Sequence, residues 1–396
     1  MASIRYYPVA RAPLFAVAFL VAAAGCGEDT ESPTGPEPIA SLASGTAARL
    51  FFTQVSAGDF HTCGVTTDGL AYCWGDGRLR PAPVSGGLRF QEVSSGRADR
   101  FEEAITCGVT KTLHVYCWGR DLVPSEIPGG RRFRQVSVGL DYICGVNPYD
   151  VAFCWGHNNH WGQLGTGGGF SLTPVRVAGG LRFRQVFTAA THTCGVTTDG
   201  RAYCWGWNNF GQLGVGPNTT SIKRIKPTPV LGGLLFRHVK PASGYPSGLN
   251  SPEVDDAYSC GVTTDDRAYC WGGGGAPLGS DIERSNTPVP VAGGRGFVIV
   301  HPGLSHACAL NPFNVAFCWG HNESGQLGTG SGSFSTTPAR VAGNLRFASI
   351  TAPPTGSHAC GVTLDHRAFC WGRNYRGALG DGTTSNRATP VAVVGP

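Results

Sequence analysis

Cysteine has the widest chemical repertoire of any residue type in this 396-residue chain, which carries fifteen of them. A thiolate can attack an electrophile, ligate a metal or be oxidised to a disulfide, and spacing separates these uses. Fourteen fall into seven pairs, each ten residues apart: Cys63 with Cys73, Cys107 with Cys117, Cys144 with Cys154, Cys194 with Cys204, Cys260 with Cys270, Cys308 with Cys318, and Cys360 with Cys370. Zinc knuckles leave roughly two to four residues between ligands. The nine found here, and the lack of any Cys-x-x-Cys, speak against metal binding and redox catalysis. No metal or other cofactor is expected. In the first pair, Thr67-Asp68-Gly69 suits a type I turn closed by a G1 bulge, because glycine takes positive φ without a steric cost. That register sets Val65 opposite Ala71, Gly64 opposite Tyr72 and Cys63 opposite Cys73, at a separation a disulfide spans. Seven hairpin disulfides are expected, and they call for an oxidising compartment.

Other reactive types recur with the cysteines. His61, His192, His306 and His358 stand two residues before the first cysteine of a pair, where other repeats place Tyr142, Tyr258 or Ile105. A position that accepts all three reads as packing or hydrogen bonding within each repeat. Asp68, Asp199, Asp265 and Asp365 fall in the hairpin turns, where turn chemistry explains them. Arg89, Arg132, Arg182 and Arg346 sit just before a recurring phenylalanine and read as solvated loop residues. No Gly-x-Ser-x-Gly, His-Glu-x-x-His or phosphate-cradling loop occurs, so no catalytic residue is expected. The net charge of +5 is mild and dispersed, which excludes a nucleic-acid footprint.

These residues need rigid elements to hold them. With 59 Gly, 27 Pro, one Met and charged residues at only 14%, the composition is wrong for a helical bundle and right for short strands joined by turns. Each second cysteine is followed by Trp-Gly, from Trp74 to Trp371. A phenylalanine precedes each pair: Phe52, Phe90, Phe133, Phe183, Phe236, Phe297 and Phe347. A Pro-Val segment precedes most of those. One repeat then reads as four strands, Pro174–Val177, Phe183–Thr188, His192–Thr197 and Arg201–Trp205. Seven repeats of about fifty residues predict an all-β, seven-bladed propeller of four-stranded antiparallel blades. The chain ends on a Pro-Val segment, Pro390 to Val394, and its first repeat lacks one. Closure by pairing of N- and C-terminal strands in one shared blade is therefore expected.

Residues 1–25 have the basic start and short apolar run of an export signal. They end in Ala23-Ala24-Gly25 before Cys26, which resembles the lipobox of bacterial lipoproteins and implies lipidation of Cys26. Residues 26–49 are polar and Pro-rich and read as a tether, and 50–396 form the propeller.

The residues after tryptophan carry a family resemblance. Gly206-Trp207-Asn208-Asn209-Phe210-Gly211-Gln212-Leu213-Gly214 has close copies from Gly156 and Gly320 and a weaker one from Gly372. Trp-Gly-x-Asn-x-x-Gly-Gln-Leu-Gly, with His-x-Cys upstream and Asp-Gly in the hairpin, resembles the repeat of the RCC1 (regulator of chromosome condensation) superfamily across residues 50–396. The resemblance implies a seven-bladed propeller. Relatives include a secreted bacterial β-lactamase-inhibitor protein and a eukaryotic guanine-nucleotide exchange factor. No residue here matches the exchange surface of the latter, so that activity ranks last.

Broken symmetry points to binding. The Gln-Leu-Gly segment is missing after Trp74 and Trp118, which cuts back two neighbouring blades on one rim. The segments Phe90–Cys107 and Phe236–Cys260 are longer than their counterparts. They offer Arg97, Asp99, Arg100, Tyr245, Leu249, Glu253, Asp255 and Asp256 as candidate binding residues, since loops on rigid scaffolds carry recognition. The expected function is a non-enzymatic protein-binding scaffold, monomeric and lipid-anchored in a bacterial cell envelope facing the periplasm or exterior. Membrane contact is expected through the anchor only. Inhibition of an extracellular enzyme and a hydrolase or glycan-active propeller are the alternatives.

Overall fold

In a computed structural model, residues 49–98, 103–157, 159–217, 222–243, 257–273, 278–293 and 296–396 are described. The candidates Cys26, Asp99, Arg100, Tyr245, Leu249, Glu253, Asp255 and Asp256 lie outside these residues. Among the described residues the strands form seven four-stranded antiparallel sheets, and in each the hydrogen-bonded order follows the chain order. In blade 4 the strands are Phe183–Thr188, His192–Thr197, Ala202–Trp207 and Lys223–Pro229.

This grouping corrects one expectation. The Pro-Val segment is the fourth strand of the preceding blade, not the first strand of its own. Val175 pairs with Cys154, and Val391 pairs with Cys370. The loop after tryptophan reverses the chain beside the third strand, so the Pro-Val segment pairs there. Proline also belongs on an outer edge, where its missing N–H leaves no ladder bond unmade. Blade 1 (52–83) and blade 7 (347–392) are each complete, so no blade is shared by the two termini. What closes the ring is packing. Phe52, Val55 and Trp74 of blade 1 bury against Cys360, Val362, Cys370 and Leu379 of blade 7. The blade 3–4 interface uses the same kinds of residue: Phe183, Val186 and Trp205 against Cys144, Val146, Cys154 and Leu164. The core of the molecule is thus a set of apolar layers between blades.

The hairpin register is as expected: Cys63 opposite Cys73, Gly64 opposite Tyr72, Val65 opposite Ala71. The same register sets Cys194 opposite Cys204, Cys260 opposite Cys270 and Cys308 opposite Cys318. All seven pairs are disulfide-bonded: Cys63 to Cys73, Cys107 to Cys117, Cys144 to Cys154, Cys194 to Cys204, Cys260 to Cys270, Cys308 to Cys318, and Cys360 to Cys370. Their Cα–Cα separations are 4.0–4.1 Å. Gly69 takes φ 90° in the turn. Six of the seven hairpins carry glycine after the first cysteine for another reason, and blade 6 has Ala309 there. A Cβ on Gly195 would lie 2.7 Å from the Phe183 ring.

Candidate functional site

The recurring polar residues are occupied in joining one blade to the next. His61 Nε2 lies 2.9 Å from Thr106 Oγ1 of blade 2, His192 Nε2 lies 3.0 Å from Ser259 Oγ of blade 5, and His358 Nε2 lies 3.1 Å from Thr62 Oγ1 of blade 1. The Tyr142 hydroxyl donates to the His192 carbonyl (2.9 Å). Burial pushes the imidazoles of His61 and His306 down to about 4, and those of His192 and His358 down to about 3. They are neutral hydrogen-bonding groups, not bases waiting for substrate. His306 is the exception in its partners: neither ring nitrogen has a hydrogen bond of normal geometry, because blade 7 has Ala359 where the blades that follow the other three histidines offer Thr106, Ser259 and Thr62.

The motif after tryptophan is architectural as well. Asn208 Oδ1 accepts the Leu213 N–H (3.0 Å), and Gln212 Oε1 accepts the Phe210 N–H (2.9 Å), which fixes the loop. Leu164, Leu213, Leu327 and Leu379 are fully buried. The loop of one blade then caps its neighbour: the Gln163 carbonyl of blade 3 accepts from the Trp205 indole and the Thr193 hydroxyl of blade 4, each at 2.8 Å. The arginines before phenylalanine also hold the frame. Arg182 donates to the Tyr149 carbonyl (2.6 Å) and Arg346 to the Phe313 carbonyl (2.8 Å), tying a connector to the preceding hairpin turn.

Where that loop is absent, the rim is open. Trp118 of blade 2 has no neighbouring Gln carbonyl, and its indole N–H points to Cys73 Sγ at 3.3 Å. A depression between blades 1 and 2 is lined by His61, Asp76, Thr106, Trp118 and Arg120. Its edge is cationic and aromatic. Asp76 is ion-paired with Arg120 and Arg376, both at 3.3 Å, and Arg97 with Asp59 at 2.6 Å. The Arg97 and Arg376 guanidinium groups lie 5.6 and 5.4 Å from the Phe60 ring centroid. Tyr375 packs edge-on to Phe60 at 5.5 Å and carries the Arg373 guanidinium at 5.4 Å. Tyr375 is 47% exposed. Arg97, a sequence candidate, is therefore largely committed to an ion pair. Phe60, Arg120, Arg373, Tyr375 and Arg376 were not singled out from the sequence, because they come from three blades, and the last three occupy variable positions of the weaker motif copy from Gly372.

A second feature runs through the centre. The first strand of every blade lines an axial channel of about 360 Å³. Two positions of each strand supply most of its polar wall, the second and fourth after phenylalanine. The second reads Gln54, Glu92, Gln135, Gln185, His238, Ile299, Ser349, of which all but His238 line the channel. The fourth reads Ser56, Ser94, Ser137, Phe187, Lys240, His301, Thr351, and all seven line it. Gln54 bonds both the N–H and the carbonyl of Val93 in the next blade, each at 3.0 Å, and Gln135 does the same to Val186. Glu92 takes the glutamine place and accepts the Val136 N–H at 2.7 Å. Burial pushes its carboxyl up to about 7. Lys240 Nζ lies 2.6 Å from His301 Nε2 and 4.5 Å from the Phe187 ring centroid, and burial pushes it down to about 7. His301 is driven well below its ordinary range by burial, then by the Lys240 charge. These side chains keep partial contact with the channel, so water offsets some of that desolvation. Aligning the seven strands by their phenylalanines would have shown this asymmetry. Among the described residues, no group of three His, Cys, Asp or Glu is placed to hold a metal.

The geometry defines a closed seven-bladed propeller whose repeat is a disulfide-bonded hairpin backed by a tryptophan and capped by its neighbour's loop. The chain is an RCC1 repeat-containing protein. Two models of the regulator of chromosome condensation (RCC1) repeat match it, one at residues 52–79 and 184–212, the other at 199–244, 315–358 and 365–396. The human E3 ubiquitin-protein ligase HERC2 is 33% identical over 143 residues, covering 35% of this chain. The chain spans 3% of the length of that relative. Among solved structures, human WBSCR16 superposes with a TM-score of 0.66 at 21% identity, over 81% of this chain and 85% of its own. Yeast RCC1 (Prp20), crystallised with Kap60, gives 0.63 at 19% identity, over 79% and 80%. At these identities the likeness is one of fold.

Proposed function

We propose that this propeller is a non-enzymatic protein-binding scaffold that works outside the cytoplasm, held to a membrane by lipid on Cys26. The open rim of blades 7, 1 and 2 is the observation that carries the reading. Five arginines, Arg78, Arg97, Arg120, Arg373 and Arg376, gather there with two aspartates, Asp59 and Asp76, around the exposed aromatic Tyr375. The partner is an acidic protein segment. Its acidic side chains meet the arginines and Tyr375 around the depression beside Trp118. Arginine and aromatic residues dominate the energetics of such contacts. The solved complex of yeast RCC1 (Prp20) with Kap60 supports protein binding as a use of this fold. Seven disulfides support an oxidising location. Among the described residues one carboxylate, Glu92, lines the channel, which favours binding over glycan hydrolysis, a reaction that works with a pair of carboxyl groups.

Crosslinking in native envelopes, followed by peptide mass spectrometry, tests this proposal. Cross-links should map to blades 7, 1 and 2 and disappear in a double variant carrying Arg120→Glu and Arg373→Glu. An identical set of cross-linked proteins from the variant would reject the rim as the site.

A further inference from the structure

We propose that the axial channel is a binding site for a small organic anion, with its carboxylate or phosphate on the Lys240–His301 pair and its apolar part against Phe187. Size is the first argument. About 360 Å³ is in the range of small-molecule pockets and well beyond what one or two waters fill. Broken symmetry is the second. At the level of the fourth residue after phenylalanine, blades 1, 2, 3 and 7 present Ser56, Ser94, Ser137 and Thr351, whereas blades 4, 5 and 6 present Phe187, Lys240 and His301. One side of the channel is thus small and hydroxylic, and the other is aromatic and basic.

Lys240 supplies the third argument. Its nitrogen faces another base, the His301 ring, and the face of Phe187, with no carboxylate at ion-pair distance among the described residues. Two bases in contact hold one proton between them poorly unless a negative charge is near. Glu92, on the wall of the same channel, acts on Lys240 from beyond ion-pair distance and favours its charged form; a ligand anion would bring negative charge into contact. Opposite, Ser56 Oγ accepts the Ser95 N–H at 2.9 Å and Ser94 Oγ accepts the Val138 N–H at 3.0 Å. Each leaves its own O–H to donate into the channel. The segment 352–357 from blade 7 lies over one mouth. Pro354 lines the channel while its carbonyl accepts the Ser243 N–H of blade 5 (3.1 Å), and the Gly356 carbonyl accepts the Leu304 N–H of blade 6 (3.2 Å). The channel is therefore closed in from that side, as a site for a buried ligand needs.

The test uses the disulfide-intact chain with benzoate, 4-bromobenzoate and inorganic phosphate as probes. Wild type should show a saturable rise in melting temperature with at least one of them, and soaked wild-type crystals should place the bromine beside Phe187. Lys240→Met should weaken the response by about tenfold or more, whereas Lys240→Arg should keep it. A response to phosphate alone would support the site and assign a phosphate headgroup; a response to the benzoates would assign a carboxylate. Bromine bound only elsewhere overturns the proposal, as does a response unchanged in Lys240→Met. So does the lack of any saturable response to all three probes up to about 20 mM, a weak-binding limit. The crystal experiment stands even if Lys240→Met does not fold. Loss of rim binding in the Arg120→Glu, Arg373→Glu double variant would leave the channel result untouched, so the two proposals fail separately.

Discussion

Glu92 stands where Gln54 and Gln135 bond both backbone groups of the next strand, and a carboxylate can copy only half of that pattern. It accepts the Val136 N–H, and only a protonated carboxyl could also donate as the glutamine amide does. Burial accordingly raises it from its ordinary 4.5 to about 7. Between those pH values the unfolded chain releases a proton that the folded chain keeps, so this residue's contribution to stability falls as pH rises across that window. Glu92→Gln should therefore gain on wild type progressively from pH 4.5 to 7, by an amount on the order of 1–2 kcal/mol once partial hydration is allowed for. Urea midpoints at a series of pH values check it, and a constant gap between the two proteins would refute it. The buried histidines act with the opposite sign. His61, His192, His306 and His358 stay neutral down to about 3–4, while unfolded imidazoles protonate below 6.5, so stability is lost as pH falls through that range. Wild type should be acid-labile, with proton uptake on unfolding near pH 5 measurable by calorimetry in buffers of different ionisation enthalpy. Ala359→Thr offers a third reading at this scale. It restores to His306 the hydroxyl that other blades supply and places that hydroxyl by the Gln326 carbonyl, as Thr193 sits by Gln163. A gain of about 1 kcal/mol is expected from the recovered hydrogen bonds. A loss of stability would mean that the blade 6–7 interface is too tight for the extra atoms.

The hairpin was the most legible element, because its chemistry is local. The ten-residue cysteine spacing recurs in all seven hairpins and sets Cys opposite Cys without reference to the rest of the chain, even where the Asp-Gly turn or the Cys-Gly step is missing. The fourth strand was less legible: Pro174-Val175 looks alike whether it opens one blade or finishes the last. Only its pairing with Cys154 decides between them, and that depends on a loop reversing the chain behind Trp155. The Asn-x-x-Gly-Gln-Leu-Gly loop could be recognised but not fully interpreted: its Asn and Gln side chains bond within the loop, but its Gln carbonyl and its leucine meet the following blade. Its absence from blades 1 and 2 has an effect at this scale. Cys117 of blade 2 is partly exposed, whereas the other thirteen half-cystines are buried. Thiol–disulfide exchange needs access to sulfur. Mild reduction of the folded protein followed by alkylation should therefore label Cys107 and Cys117 first. Uniform labelling of all seven pairs, read by peptide mass spectrometry, would show that global unfolding controls access instead.

At the scale of the whole molecule, a closed ring was legible from the seven repeats, but how it closes and how residues group at both candidate sites were not, for one reason: each is made by residues that meet only after seven blades have been laid side by side. Phe60, Arg120 and Arg376 reach the open rim from three blades, and Phe187, Lys240 and His301 reach the channel from three others. The terminal blades are complete in sequence, so the seam between them has no special strand pairing and depends on the same apolar layer as the other interfaces. Phe52 packs 5.7 Å from Trp74 at the seam, and Phe183 packs 5.8 Å from Trp205 in an interior interface; both are 1% exposed. If the seam is an ordinary interface, Phe52→Ala and Phe183→Ala should destabilise alike, each by about 3–5 kcal/mol, the usual range for emptying a buried phenylalanine site. Repeat arrays can unfold in stages. The comparison therefore rests on melting midpoints and on proteolysis of the folded state, which should open both variants to the same extent. A seam held more loosely than the interior would show itself as a Phe52→Ala protein that melts close to wild type while Phe183→Ala does not. That outcome would make the ring an array with a latch, contrary to the uniform packing of its interfaces.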